Sequence, residues 1–148
     1  MNNKSNYSKK TLANLRTLVI LSRATQTIHR QEVKTIQDAG LTVSQFGVLE
    51  VLYHKGPLRI STITEKILST GGNMTVVINN LVKDKLITKS KDPGDKRATI
   101  VKLTRKGKTL MIQYFPPHIE NINQIFSTLT DNEKQKLAGL LKKLVGNR

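Results

Sequence analysis

Asn73, Thr75, Val76, Asn79, Asn80 and Lys83 have the side-chain chemistry of base recognition. An asparagine amide can pair with adenine, a threonine hydroxyl can reach a base or a phosphate, and a valine can meet a thymine methyl. These residues interleave with Met74, Val77, Ile78 and Leu81, which recur at helical spacing. The polar set therefore falls on the outer side of a helix expected over about residues 73–85. Gly71 and Gly72 just before it let the helix N-terminus approach a phosphate, where free N–H groups and the helix dipole favour an anion. Ordinary surface asparagines after a glycine loop are the plainer account of the same residues. Against it stands the scarcity of charge on this face, unusual for a helix that needs only solubility.

A second constellation follows. Residues 83–108 hold 10 basic and 3 acidic groups, nearly half of the excess positive charge of the whole chain. Arg97 sits just past a turn-forming cluster at 92–96, with Lys89, Lys91, Lys96 and Lys102 around it. An arginine on a narrow β-wing suits the negative potential of a minor groove. Asp95 repels phosphate, so its expected role is to hold the Arg97 guanidinium by a charge-assisted hydrogen bond. A solvated surface pair of little energetic weight is the alternative.

Composition excludes several other chemistries. With 25 Lys plus Arg against 10 Asp plus Glu, the net charge is +15, which calls for a polyanionic partner. No cysteine is present, so disulfides, cysteine zinc sites and thiol sensing are ruled out. His29, His54 and His118 lie on different expected helices, and no Ser/His/Asp or phosphate-loop pattern occurs. Neither an enzyme nor a metal site is expected. No apolar run approaches the roughly 18 residues of a membrane span, and residues 1–10 lack the apolar stretch of a signal peptide. A cytoplasmic location without a membrane partner is the expectation.

The elements that must position these residues read as follows. A long helix is expected over 8–38, with Leu12, Leu15 and Val19 on its apolar face. Thr42 and Gln45 form a capping box for a helix carrying Phe46, Leu49, Leu52 and Tyr53, ended by Gly56 as a left-handed cap and by Pro57. Arg59 and Ile60 are extended, and Thr62 with Glu65 forms a capping box for a short helix. Residues 69–72 break the chain before the asparagine-bearing helix. Residues 87–91 and 98–103 form a hairpin. Thr104 caps a helix to about Tyr114, Pro116 and Pro117 interrupt or kink it, and Thr130 with Glu133 caps a last helix bearing Leu137, Leu140, Leu141 and Leu144. The fold class is mainly α with a small β-hairpin: a winged helix-turn-helix over 41–107, flanked by helical dimerisation regions at 1–40 and 108–148.

At this point the residues resemble a known family, the multiple antibiotic resistance regulators (MarR family). Asp95-Lys96-Arg97, then five residues, then Leu103-Thr104 and Gly107 is similar to its D-x-R-x(5)-L-T-x-x-G wing signature. Residues 71–75 before Leu81 resemble its recognition helix, and residues 41–46 resemble the opening of its helix-turn-helix half. The resemblance implies a homodimer, with first and last helices interlocked, that binds a pseudo-palindromic DNA operator and most often represses transcription. The residues expected to form the DNA-binding surface are Gly72, Asn73, Thr75, Val76, Asn79, Asn80, Lys83, Lys91, Lys96 and Arg97, with Asp95 as the holder of Arg97. The resemblance also implies a small, often phenolic, effector bound between the two regions. By position His29, Phe46, Tyr53 and Tyr114 border such a crevice, although core packing is the simpler role for each. Val76 and Asn80 stand where relatives often carry arginine, which shifts phosphate clamping toward Lys83 and the wing. A non-specific architectural nucleic-acid binder is the competing class; it would place lysines where this chain has asparagine and threonine.

Overall fold

The computed structural model describes residues 7–67 and 71–146. In chain order the elements are α1 (Lys9–Asp38), α2 (Val43–Lys55), β1 (Leu58–Arg59), α3 (Ile60–Lys66), α4 (Gly71–Lys83), β2 (Ile87–Lys91), β3 (Thr99–Leu103), α5 (Arg105–Ile125) and α6 (Asp131–Val145). Mostly helical, with one small antiparallel sheet in the order β1-β3-β2, the chain folds as a winged helix. Ser69 and Thr70, expected in the break before α4, lie outside the described residues.

Local chemistry sets most helix starts. Ser8 Oγ accepts from Thr11 N–H at the head of α1. The Thr42–Gln45 capping box opens α2, and the Thr130–Glu133 box opens α6. Thr104 Oγ1 accepts from Gly107 N–H at the head of α5. Gly56 ends α2 at φ +76°, but its ψ of −160° is extended, not the left-handed cap the sequence suggests.

Three further expectations are corrected. First, α3 starts at Ile60, earlier than a Thr62 cap would place it, and Arg59 is its N-cap without a side-chain cap bond. The reason is tertiary: β1 pairs with β3, Leu58 opposite Val101 and Arg59 opposite Ile100, which holds Arg59 extended and leaves Ile60 to begin the turn. Second, α4 spans 71–83, and Lys85 lies beyond it at φ +60°. Leu86 N–H bonds Leu81 C=O and Lys85 N–H bonds Val82 C=O, a Schellman closure with Leu86 buried. Third, α5 runs through Pro116 and Pro117 to Ile125 without interruption, past the end expected near Tyr114. The N–H groups these prolines lack would have served the carbonyls of Ile112 and Gln113, residues on the exposed side of α5, where water can satisfy them.

The core gathers Ile36, Leu41, Phe46, Leu49, Leu52, Ile63, Met74, Ile78, Leu81, Leu86, Val101 and Met111, so it welds α2, α3, α4, the sheet and the first half of α5. Full burial of each such aliphatic is worth about 1.5–3 kcal/mol, which fixes α4 firmly against its support. The ends of the chain are different. Ile36 is the one buried residue of α1, and α6 has none. Leu12, Leu15, Leu18, Val19 and Ile20 on α1 and Leu140, Leu144 and Val145 on α6 are exposed.

Candidate nucleic-acid interface

Four apolar residues of α4, Met74, Val77, Ile78 and Leu81, are buried, and this rotates Asn73, Thr75, Val76, Asn79, Asn80 and Lys83 to the surface. Val76 is 57 % exposed, an apolar side chain placed where the fold gains nothing from it. Gly72 is the second residue of the helix. The expected reading face is thus one continuous outward surface, and the structure brings Asn73, Thr75, Val76, Asn79, Asn80 and Lys83 onto it.

Beside it stands the wing. β2 and β3 pair antiparallel from Ile87 opposite Leu103 to Lys91 opposite Thr99. Between them Asp92 N–H bonds Ala98 C=O and Ala98 N–H bonds Asp95 C=O, which closes the tip. Arg97 projects from this tip with 94 % of its side chain exposed. Asp95 Oδ1 accepts from Arg97 N–H at 3.1 Å and lies 3.4 Å from Arg97 Nε. Asp95 thus touches the backbone and the Nε edge of Arg97, while the side chain as a whole projects into solvent. Lys91 and Lys96 are exposed alongside. Lys89, on β2, reaches back to α4: its Nζ donates to Asn79 Oδ1 at 2.9 Å.

The wing is anchored by a pair that sequence reasoning missed. Arg59 Nε donates to Asp92 Oδ2 at 2.6 Å, while Asp92 Oδ1 accepts from Gly94 N–H at 2.8 Å. Asp92 is buried, and its carboxyl is held below the ordinary aspartate range, chiefly by the Gly94 N–H and then by Arg59, with desolvation opposing. The two partners stand 33 residues apart, so no local pattern links them; the Pro93-Gly94 turn after Asp92 was the available hint.

The four residues expected near an effector crevice occupy four settings. Phe46 is in the core. Tyr53 is half-buried, its ring 5.3 Å from His54 and 5.9 Å from Phe115. His29 is exposed on α1, 4.0 Å from Glu32. Tyr114 lines an open hollow on α5 with Arg105, Lys106, Leu110 and Gln113. The structure does not gather them around one cavity. It does bury His118, whose Nδ1 lies 2.9 Å from Thr35 Oγ1 and whose ring sits 4.7 Å from Phe46. Thr35 also bonds Glu32 C=O with its hydroxyl, which leaves a lone pair to accept from His118 Nδ1–H.

Among the described residues no group of three or more acidic or histidine side chains could hold a metal ion, and no helix is long and apolar enough to cross a membrane.

A profile of the MarR family matches residues 41–99, the span from the head of α2 to the first residue of β3. The chain is 35 % identical over 130 residues to the HTH-type transcriptional regulator MhqR of Bacillus subtilis, covering 88 % of this chain and 90 % of that one. In three dimensions it is similar to BpsR of Bordetella bronchiseptica, whose DNA binding is regulated by 6-hydroxynicotinic acid: TM-score 0.75, 28 % identity, 88 % of this chain and 98 % of that one. A MarR-family regulator of Streptomyces coelicolor solved in complex with DNA shares the fold at TM-score 0.81 and 20 % identity, over 97 % and 91 % of the two chains. The exposed face of α4, the arginine-tipped hairpin beside it and the 35 % identity to a regulator over nearly its full length together place this chain in the MarR family of DNA-binding, winged-helix transcriptional regulators.

Proposed function

We propose that this chain is a homodimeric repressor that reads a pseudo-palindromic operator, and that a small aromatic ligand releases it. The observation that carries the reading is the pairing of an exposed, almost uncharged α4 face with a fully projecting Arg97 on the neighbouring wing. Such a face offers directional hydrogen bonds to base edges in a major groove, while Arg97 reaches an adjacent minor groove. Asn73, Thr75, Val76, Asn79, Asn80 and Lys83 serve the first contact, with Gly72 at the phosphate-facing helix start. Lys91, Lys96 and Arg97 serve the second, and Asp95 aims Arg97.

A division of labour supports dimerisation. Residues 41–107 carry the reading surface, whereas 1–40 and 108–148 carry exposed leucines on α1 and α6 whose burial needs a partner surface. A second copy is that partner: a two-fold molecule presents two α4 helices to two inverted half-sites. The ligand reading is supported by BpsR, which shares 28 % identity and whose DNA binding responds to a hydroxylated aromatic acid. The same family membership supports a cytoplasmic regulator without catalytic activity.

Selection of bound fragments from random duplex DNA tests the proposal. The expected outcome is one enriched motif with inverted halves about one helical turn apart. Enrichment of no motif, with binding governed by salt alone, would favour the architectural class and overturn the reading.

A further inference from the structure

Asn79 shares the outward side of α4 with Val76 and Lys83, its neighbours three and four residues away. Its amide is oriented by the wing. The Lys89 ammonium on β2 stands 2.9 Å from Oδ1. An ammonium only donates, so the atom facing it is fixed as the carbonyl oxygen and the –NH2 end points elsewhere. Among the described residues no carboxylate lies within ion-pair distance of Lys89 to compete for it.

We propose that Lys89 makes Asn79 a donor-only reader of the major groove, which selects guanine over adenine at the base pair it meets. The inference rests on the operator-binding reading above. An unconstrained asparagine prefers adenine because it uses both ends of its amide, Oδ1 accepting from N6–H and Nδ2 donating to N7. Here Lys89 already donates to Oδ1 and sets a positive charge beside it. An approaching N6–H group, itself the positive end of a dipole, meets that charge. The Nδ2 hydrogens remain, polarised by the cation on the far side of the amide. Guanine presents two acceptors on one edge, O6 and N7, and matches them. Thymine offers a single acceptor, O4, beside a methyl group. Lys89 is on this view a positioning residue: it sets the specificity of Asn79 from the wing and ties the two reading elements together.

The test is a repeat of the random-duplex selection with wild-type protein, Asn79→Ala, Lys89→Met and Lys89→Arg, each first shown to melt cooperatively. Wild type should enrich guanine at one position of each half-site, and Asn79→Ala should lose the preference there alone. Lys89→Met should move that position toward adenine by about fivefold or more in the guanine-to-adenine ratio, and Lys89→Arg, which still only donates, should keep guanine. A Lys89→Met protein that binds every sequence more weakly, with a salt slope smaller by about one and an unchanged motif, would make Lys89 a phosphate contact and overturn the inference while the operator reading stands. An Asn79→Ala motif identical to wild type would overturn it equally. Failure of the wild-type protein to enrich any motif would instead remove the operator reading on which it rests.

Discussion

Arg59, at the N-terminal edge of α3, and Asp92, at the root of the wing tip, are locked together by a 2.6 Å hydrogen bond although nothing in the intervening chain forces them to meet. Through this pair the hairpin is fastened to the helix-turn-helix, and Gly94 N–H fixes the second oxygen of the same carboxylate. Bonds to the charged form lower the folded-state pKa, so the unfolded chain binds more protons near that pH and stability rises with pH there. The contribution is therefore complete above the ordinary aspartate value of about 3.9 and is lost as pH falls through the lowered one. Melting temperatures of wild type and Asp92→Asn should differ by a constant margin between about pH 5 and 8, and converge in stronger acid. Convergence already near pH 6 would contradict the assignment.

Arg97 is almost wholly exposed, so its removal should leave folding untouched. Arg97→Ala should melt as wild type does yet bind operator DNA about tenfold to a hundredfold more weakly, the scale of a charge-assisted contact. Fluorescence anisotropy at moderate salt, paired with thermal melts, separates the two effects.

Gly107 lies where a Cβ would collide with the Leu86 carbonyl, backbone that cannot swing aside. That carbonyl also accepts from Thr104 N–H at 3.0 Å, so it is pinned. Gly107→Ala should destabilise the fold by about 2–3 kcal/mol in urea unfolding, an overpacking cost near the top of its usual range.

Lys85 adopts a left-handed conformation at φ +60° with no glycine to ease it. Lys85→Gly should stabilise the chain by about 0.5–1 kcal/mol, since the native turn is already closed by its own hydrogen bonds. The same denaturation assay reads it.

Leu140 and Leu144 are two-thirds exposed on α6. Sedimentation of the wild-type protein should give a dimer, and the double variant Leu140→Glu, Leu144→Glu a folded monomer or a weaker dimer with operator affinity reduced by at least about tenfold. Deletion of 130–148 should act the same way. An unaltered dimer in both would refute the intertwined-helix arrangement.

What was legible in the sequence had local causes. The caps at Thr42, Thr104 and Thr130 each depend on a side chain and an N–H three residues away, and all three fall where the spacing places them. The outward set on α4 follows from the period of Met74, Val77, Ile78 and Leu81 alone. What was missed depended on distant partners. Pairing of Leu58 with Val101 moved the start of α3, and Arg59 reached Asp92 across half the domain. The Lys89–Asn79 contact joins residues only ten apart, but a turn and a change of element separate them, so no single period reveals it. The aromatic residues followed the same rule: Phe46 and His118 meet because α2 and α5 cross, which composition does not encode.

α5 spans 21 residues without a break, from Arg105 at the wing root, where Gly107 is wedged against the Leu86 carbonyl, to Ile125 beyond the exposed Ile119. At 1.5 Å per residue it is a strut about 30 Å long. A tilt of about 6° imposed at its far end sweeps the near end through roughly 3 Å, close to the rise of one base-pair step. Under the proposed function, small leverage on one half of the molecule would thereby be magnified into a misfit of the other against the duplex.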